Sequence, residues 1–151
     1  MTRVRVLALG SLHGGDDEVA LTLARSLVDQ GVDLVLAGRP GAGLVDLLDT
    51  ELPVLLLDVV RSGARPGTIV ELSLAQLCER ALAIEQVSSH GFGPAEALQL
   101  AGALGRELPR GRFLGIEGAS FELGAEPSPE LLASLPELER RARAALRELA
   151  G

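Results

Sequence analysis

The sequence contains no lysine, and all 14 of its basic residues are arginine. Mechanisms that depend on a lysine amine are therefore excluded, namely the phosphate-binding P-loop, Schiff-base chemistry and Ser–Lys dyads. Cys78 is the only cysteine, which excludes an intrachain disulfide and a zinc cage built from thiolates. Because Cys78 falls at an apolar position of a predicted helix, we interpret it as a packed thiol.

Aromatic residues make up only 2% of the chain, and its apolar runs are far shorter than the ~20 residues of a membrane span. The net charge of -7 argues against partners such as nucleic acid or an anionic membrane surface. The opening residues MTRVRVLALG have no signal-peptide pattern, so we expect a cytoplasmic protein. Hydrophobic residues reach 47% of the 151, enough for the core of one domain over residues 1–151.

Apolar runs and two-residue alternation predict five strands, at residues 3–10, 32–38, 53–60, 68–74 and 112–117. Amphipathic spacing and end signals predict helices at 17–30, where Gly31 stops the first helix, and at 44–48, 73–84, 94–104 and 128–149. We expect Pro136 to break or kink the last of these helices. The alternation of strands and helices predicts an α/β protein, a three-layer α/β/α sandwich around a mostly parallel sheet. The short connection after the third strand predicts that the fourth runs antiparallel to it.

Sites in such sheets form at the carboxyl ends of the strands. Asp16 and Asp17 follow the first strand, and Asp58 ends the apolar run of the third. If the two strands are neighbours, these carboxylates converge, and their repulsion raises a pKa or recruits a cation. Asp17 can alternatively serve only to cap the following helix, whereas Asp58 is costly to bury without a partner.

His90 lies in the glycine-flanked segment SSHGFG. Two carboxylates and one imidazole form a ligand set suited to nickel, zinc or iron. The alternative is a solvated loop histidine, which is the interpretation we give to His13. The basic segment at residues 61–67 is either a solvated turn or a contact for an acidic partner.

Three other site types fit poorly. The loop GSLHGG is not the GxGxxG of dinucleotide-binding proteins, and no GxSxG nucleophile motif is present. The aspartates are also reminiscent of a receiver domain, but that pattern needs a lysine after the fifth strand.

Five segments together resemble the hydrogenase maturation endopeptidases. In chain order they are LALGSLHGGDDEVALTLARSL, VLLLDVVRSGARPGTIVEL, SSHGFGPAEALQLAGALGRELP, FLGIEGASFELG and SPELLASLPELERRARAAL. The resemblance covers nearly the whole chain, and five motifs in order are specific where each alone is modest.

The resemblance implies a protease that removes a C-terminal peptide from the large-subunit precursor of [NiFe]-hydrogenase after nickel insertion. It implies a phosphorylase/hydrolase-like fold with a five-stranded mixed sheet in the order 2-1-3-5-4 and strand 4 antiparallel. By motif, the metal ligands and catalytic residues fall on Asp17, Asp58 and His90. The nickel is expected to arrive with the substrate, and no organic cofactor is expected.

Two positions depart from the family pattern. Ser11 replaces the usual asparagine, and Ala37-Gly38-Arg39-Pro40 replaces Asp-Gly-Gly-Thr after the second strand. The missing aspartate is implicated in substrate recognition, so its loss predicts a divergent specificity. The leading hypothesis is therefore the endopeptidase, and the alternative is a metal-sensing or chaperone-like module of the same fold that does not cleave. We expect a monomer.

Overall fold

One mixed sheet organises the fold. The computed structural model describes residues 2–11, 14–83, 93–122 and 124–151, and within them it has five strands in the order β2-β1-β3-β5-β4. The strands are β1 (Val4–Leu9), β2 (Val32–Gly38), β3 (Val54–Val60), β4 (Ile69–Ser73) and β5 (Gly111–Glu117). β2, β1, β3 and β5 run parallel to one another, and β4 runs antiparallel to β5. The predicted strand order and the direction of β4 are confirmed.

Helices cover both faces of the sheet. They are α1 (Val19–Ser26), α2 (Leu44–Leu47), α3 (Leu74–Ala83), α4 (Pro94–Ala103) and α5 (Pro129–Ala150). One core joins α1 and α5 to alternate residues of β1 and β3, such as Val6 and Leu55. The other core joins α2 and α4 to the intervening residues, such as Leu7 and Leu56. Since both faces of the central strands are buried, these strands read as continuous apolar runs.

Two predicted helix boundaries need correction. A 3₁₀ turn at Gly15–Glu18 precedes α1, which begins at Val19 and ends at Ser26. The turn takes the acidic residues out of the regular helix and bends the chain after β1. Residue 84, the last of the predicted helix 73–84, lies outside the described residues, and so do the residues that follow it up to position 92.

Pro136 does not break α5, which continues for 22 residues from Pro129 to Ala150. A proline inside a helix removes one hydrogen bond, here the bond to the carbonyl of Leu132. Leu132 is 50% exposed, so water can reach this turn of the helix. The buried contacts of Leu131 and Leu138 on either side hold the helix against the sheet. No helix in the described part of the chain is long and apolar enough to cross a membrane.

Candidate functional site

A cleft of about 240 Å³ opens at the carboxyl ends of β1, β2 and β3. It lies on the face of the sheet that α2 and α4 cover. Its lining includes Leu9, Gly38, Arg39, Asp58, Gly93 and Pro94. The cleft occupies the place where parallel α/β sheets bind their ligands, because the loops that follow neighbouring strands diverge there.

Asp58 is the acidic residue in the lining of this cleft. It lies in β3 opposite Gly115 of β5, two residues before the strand ends, and its side chain is partly exposed. The Val59 amide donates a 2.8 Å hydrogen bond to Asp58 Oδ1. Desolvation and the nearby Asp17 raise the pKa of Asp58 from 3.8 to about 7, against the opposing effects of the Val59 hydrogen bond and Arg39. Asp58 can therefore take up or release a proton near neutral pH.

Asp17 approaches the same edge of the sheet from the 3₁₀ turn. The residue is only 6% exposed. Its Oδ2 atom accepts hydrogen bonds from Arg39 Nη2 at 2.6 Å and Arg39 Nε at 3.2 Å. The Arg39 side chain, which follows β2, remains 59% exposed. A buried carboxylate is thus neutralised by a guanidinium that reaches in from solvent, as buried charges require.

Gly10 permits this close approach of the turn to β1. Its φ of +130° is unfavourable for residues with a side chain, and a Cβ atom there would lie 2.1 Å from the Asp17 carbonyl oxygen. Gly10 also lines the cleft. The glycine at the end of the strand is therefore needed to bring Asp17 towards Asp58.

The adjacent Asp16 is fully buried and has a different environment. It accepts hydrogen bonds from the amides of Ala119, Ser120 and Ser128 and from the Ser128 hydroxyl. Burial raises the pKa of Asp16, but these hydrogen bonds outweigh it and hold the pKa below its usual value. Asp16 fastens the 3₁₀ turn to the segment between β5 and α5, so the two neighbouring aspartates have separate roles.

Glu117, at the end of β5, is a third buried carboxylate, and the sequence analysis did not single it out. It is 3% exposed and accepts hydrogen bonds from the Ser62 amide, the Ser62 hydroxyl and the Gly63 amide. The signal was present, because an acidic residue ends the apolar run FLGIE as Asp58 ends its own. Glu117 fixes the basic turn after β3, where Arg61 stacks 4.1 Å from the centre of the Phe121 ring.

The structure brings two of the three predicted ligands, Asp17 and Asp58, to one edge of the sheet. His90 and His13 lie outside the described residues. Among the residues that are described, no group of three or more His, Cys, Asp or Glu side chains is placed to hold a metal ion. The three-residue metal site therefore stays a prediction. Cys78 is partly buried and packs against the core beneath α3 and α4, as expected for a packed thiol.

Solved structures with the same fold include several hydrogenase maturation proteases. The endopeptidase HybD from E. coli is 22% identical, with a TM-score of 0.80 over 97% of this chain and 93% of that one. HybD from Thermococcus kodakarensis is 27% identical, with a TM-score of 0.74 over 96% and 99%. HycI from the same organism is 19% identical, with a TM-score of 0.65 over 99% and 94%.

No curated protein is similar enough in sequence to count as a match. The family model for HycI, described as hydrogenase maturation protease, matches residues 18–144. That range contains Asp58 and Arg39 and begins one residue after Asp17. Since the match spans most of the chain and the fold agrees, this protein belongs to the hydrogenase maturation proteases, a family of endopeptidases that act on hydrogenase large-subunit precursors.

Proposed function

We propose that this protein is a cytoplasmic endopeptidase that removes the C-terminal peptide from a [NiFe]-hydrogenase large subunit once nickel has been inserted. Asp17, Asp58 and His90 would contact the nickel that the precursor carries. The observation that carries the proposal is the juxtaposition of Asp58 with Asp17 and Arg39 at one cleft, where the pKa of Asp58 is raised to about 7.

His90 fits this proposal through its position in the sequence. Gly93, three residues after His90, lines the cleft that contains Asp58. Three residues of extended chain span at most ~10–11 Å, so an imidazole at position 90 is within reach of the cleft. A neutral imidazole and two carboxylates are suitable ligands for nickel.

The proposed chemistry divides between the precursor's metal and this chain. The nickel would supply a Lewis acid that holds and polarises the scissile region. Asp58, once ionised, would accept a proton from the attacking water through the carboxylate oxygen that does not contact the metal. Asp17 would be a further ligand of the metal once its ion pair with Arg39 opens.

Arg39 follows the position where the resemblance expects an aspartate. Its guanidinium occupies the oxygen of Asp17 that a cation would approach. Because the Arg39 side chain is more than half exposed, it can turn into solvent without leaving a buried charge of its own. We therefore propose that Arg39 covers Asp17 until the precursor arrives.

The test is the mass of a nickel-loaded large-subunit precursor before and after incubation with the protein. The wild type should shorten the precursor by one C-terminal peptide, and the nickel-free precursor should stay intact. Asp58→Asn should abolish cleavage. The matched control is Asp46→Asn, at an acidic side chain that is 80% exposed and does not line the cleft. An intact nickel-loaded precursor would contradict the proposal.

A second candidate function is a module that binds the precursor without cutting it. The ion pair between Asp17 and Arg39 does not distinguish this metal-sensing or chaperone-like module from the endopeptidase, because both would use the same acidic site. Such a module would form a stable complex with the nickel-loaded precursor and leave its mass unchanged. Co-elution of the two intact chains in size-exclusion chromatography would identify it.

A further inference from the structure

Strand β2 lies at one edge of the sheet and pairs with β1 on one side only. The Val4 amide donates to the Gly31 carbonyl at 2.9 Å, and Val4 is in register with Val32. In a parallel ladder this pattern makes Asp33 and Val35 bond to β1. The amides and carbonyls of the alternate residues, Leu34 and Leu36, therefore point away from the sheet.

The outward groups near the beginning of β2 already have partners. The Val32 amide donates to the Asp29 carbonyl at 3.2 Å, and the Val32 carbonyl accepts a 3.4 Å hydrogen bond from Arg3. Across the part of the chain that the structure describes, no strand pairs with the outward side of Leu34 and Leu36. Four main-chain groups of these two residues are thus available to an added strand.

The outward side of β2 at Leu34 and Leu36 has little of the usual protection. Natural edge strands are typically guarded by charged side chains or proline. The one charged residue of β2, Asp33, pairs with Arg5 of β1 at 2.8 Å, much as Glu71 of the opposite edge strand β4 pairs with Arg112 at 3.4 Å. The residues that follow it, 34–38, read LVLAG, without a charge or a proline. Leu36 is 39% exposed, although a large apolar side chain there is normally covered.

The same edge leads directly into the candidate active site. β2 ends at Gly38, and Gly38 and Arg39 line the cleft together with Asp58. A segment hydrogen-bonded along Leu34 and Leu36 would therefore meet the cleft where β2 ends. This continuity favours a peptide substrate over a second copy of the chain, since a second copy would gain nothing from a position beside Asp58.

We propose that the free edge of β2 binds an extended segment of the large-subunit precursor, next to the bond that is cleaved, as an additional strand. The proposal rests on the proposed function and deepens it by assigning a substrate-docking surface. Strand addition takes affinity from main-chain hydrogen bonds and specificity from alternate side chains. The bound segment should therefore be extended and should place an apolar side chain against Leu36.

Hydrogen exchange measured by NMR tests the docking directly. The Asp58→Asn variant is mixed with the nickel-loaded precursor so that the complex is not consumed. We expect the amides of Leu34 and Leu36 to exchange at least about tenfold more slowly in the complex, as newly paired amides do. The amides of Val35 and Ala37 face β1 and serve as internal controls that should change little.

Substitutions on the edge provide a kinetic test. Leu36→Lys places a charge on the edge, and Leu36→Pro removes an outward amide without removing a bond to β1. We expect each to raise KM for the precursor about tenfold and to leave kcat within about twofold, since docking is separate from the chemical step. The control is Val28→Lys, which adds the same charge at a residue that is 60% exposed and lies outside β2.

The outcomes separate this proposal from the proposed function. If the wild type cleaves the precursor while the Leu34 and Leu36 amides stay unprotected and Leu36→Lys keeps its KM, the docking surface is refuted and the endopeptidase stands. If the two amides become protected but no cleavage occurs, docking stands and the endopeptidase fails. Protection that grows with protein concentration in the absence of precursor would assign the edge to a second copy and overturn the proposal.

Discussion

Asp58 makes the stability of this protein depend on pH in an unusual direction. Its folded-state pKa of about 7 lies above the unfolded value of 3.8, so the folded state binds more protons between these two values. The contribution of Asp58 to the free energy of unfolding is then fully present below about pH 4 and is lost as the pH rises towards 7. Asp58→Asn should remove this loss, because asparagine keeps the shape of the side chain without the charge.

The expected result for Asp58→Asn is a gain of about 2–4 kcal/mol in the free energy of unfolding at pH 8. At pH 4 the variant and the wild type should differ little. Urea denaturation at both pH values provides the measurement, with Asp46→Asn as the control. Equal stabilities at pH 8 would mean that the Asp58 carboxylate ionises without cost in its cleft.

Arg39 opposes the rise in the pKa of Asp58, since its positive charge favours the ionised carboxylate. Arg39→Gln should therefore raise the Asp58 pKa further, by about one unit. A ¹³C NMR titration of the Asp58 carboxyl group in the free protein measures the change. Arg25→Gln, at an exposed position of α1, is the matched control and should leave the titration unchanged. A lowered pKa in Arg39→Gln would show that the guanidinium does not act on Asp58 by its charge.

His90 must be neutral to bind a metal ion, so acid should weaken engagement of the nickel-loaded precursor as the imidazole takes up a proton. His90→Ala should fold with a melting temperature close to that of the wild type and should fail to process the precursor. His13→Ala is the control and should keep activity. Cleavage by His90→Ala at the wild-type rate would remove the histidine from the proposed site.

Residue roles were only partly predictable from the sequence. Asp58 was identifiable because an acidic residue at the end of an apolar strand needs a reason to be there. Asp16 and Asp17 could not be told apart by pattern, since the hydrogen bonds that distinguish Asp16 come from Ser120 and Ser128, more than 100 positions away in the chain. The ion pair of Arg39 with Asp17 was not foreseen either, because it depends on how two loops meet at the sheet edge.

At the scale of elements, Asp16 joins the 3₁₀ turn after β1 to the segment that leads into α5. Asp16→Asn replaces a carboxylate that accepts several hydrogen bonds by an amide whose NH₂ group faces donors. We expect a loss of about 2–4 kcal/mol in the free energy of unfolding at pH 7. Because the pKa of Asp16 is lowered in the folded state, the difference from the wild type should shrink as the pH falls below about 4.

Urea denaturation of Asp16→Asn at pH 7 and at low pH measures this effect. Glu126→Gln, at an exposed position in the same segment, is the control and should cost little. If Asp16→Asn unfolds at the wild-type urea concentration, the hydrogen bonds to Asp16 do not fasten the turn.

The strands and most helices were predictable because both sheet faces are buried and the apolar periodicity is strong. The 3₁₀ turn at Gly15–Glu18 was not, because its bend depends on the close contact of Gly10 with Asp17. The predicted break of α5 at Pro136 was wrong, whereas a kink there stays a prediction. Local propensity favours a break at proline, but packing of the helix on the sheet outweighs one lost hydrogen bond.

At the scale of the whole molecule, the sequence pattern predicts a three-layer α/β/α sandwich, whereas the order of its strands came from the family resemblance. Periodicity shows that a strand is buried but does not show which strand is its neighbour. Once the order 2-1-3-5-4 is in place, β1 and β3 are adjacent and β2 is left at an edge. The same topology thus places Asp17 near Asp58 and leaves Leu34 and Leu36 open to an incoming strand.

The purified protein, without precursor, should retain little or no nickel after dialysis. Asp17 is already paired with Arg39, so a free ion would have to displace a 2.6 Å hydrogen bond from a guanidinium. The thiolates of a hydrogenase precursor are softer ligands than carboxylates and should dominate nickel affinity in the complex. Equilibrium dialysis followed by elemental analysis gives the nickel content, which should rise to one equivalent only when the loaded precursor is present. Arg39→Ala is the informative comparison, because it uncovers Asp17 and should strengthen nickel retention by the free protein. His90→Ala leaves the ion pair in place and should not strengthen nickel retention. Stoichiometric nickel in the dialysed wild type would instead identify a resident metal centre and would contradict the role given to Arg39.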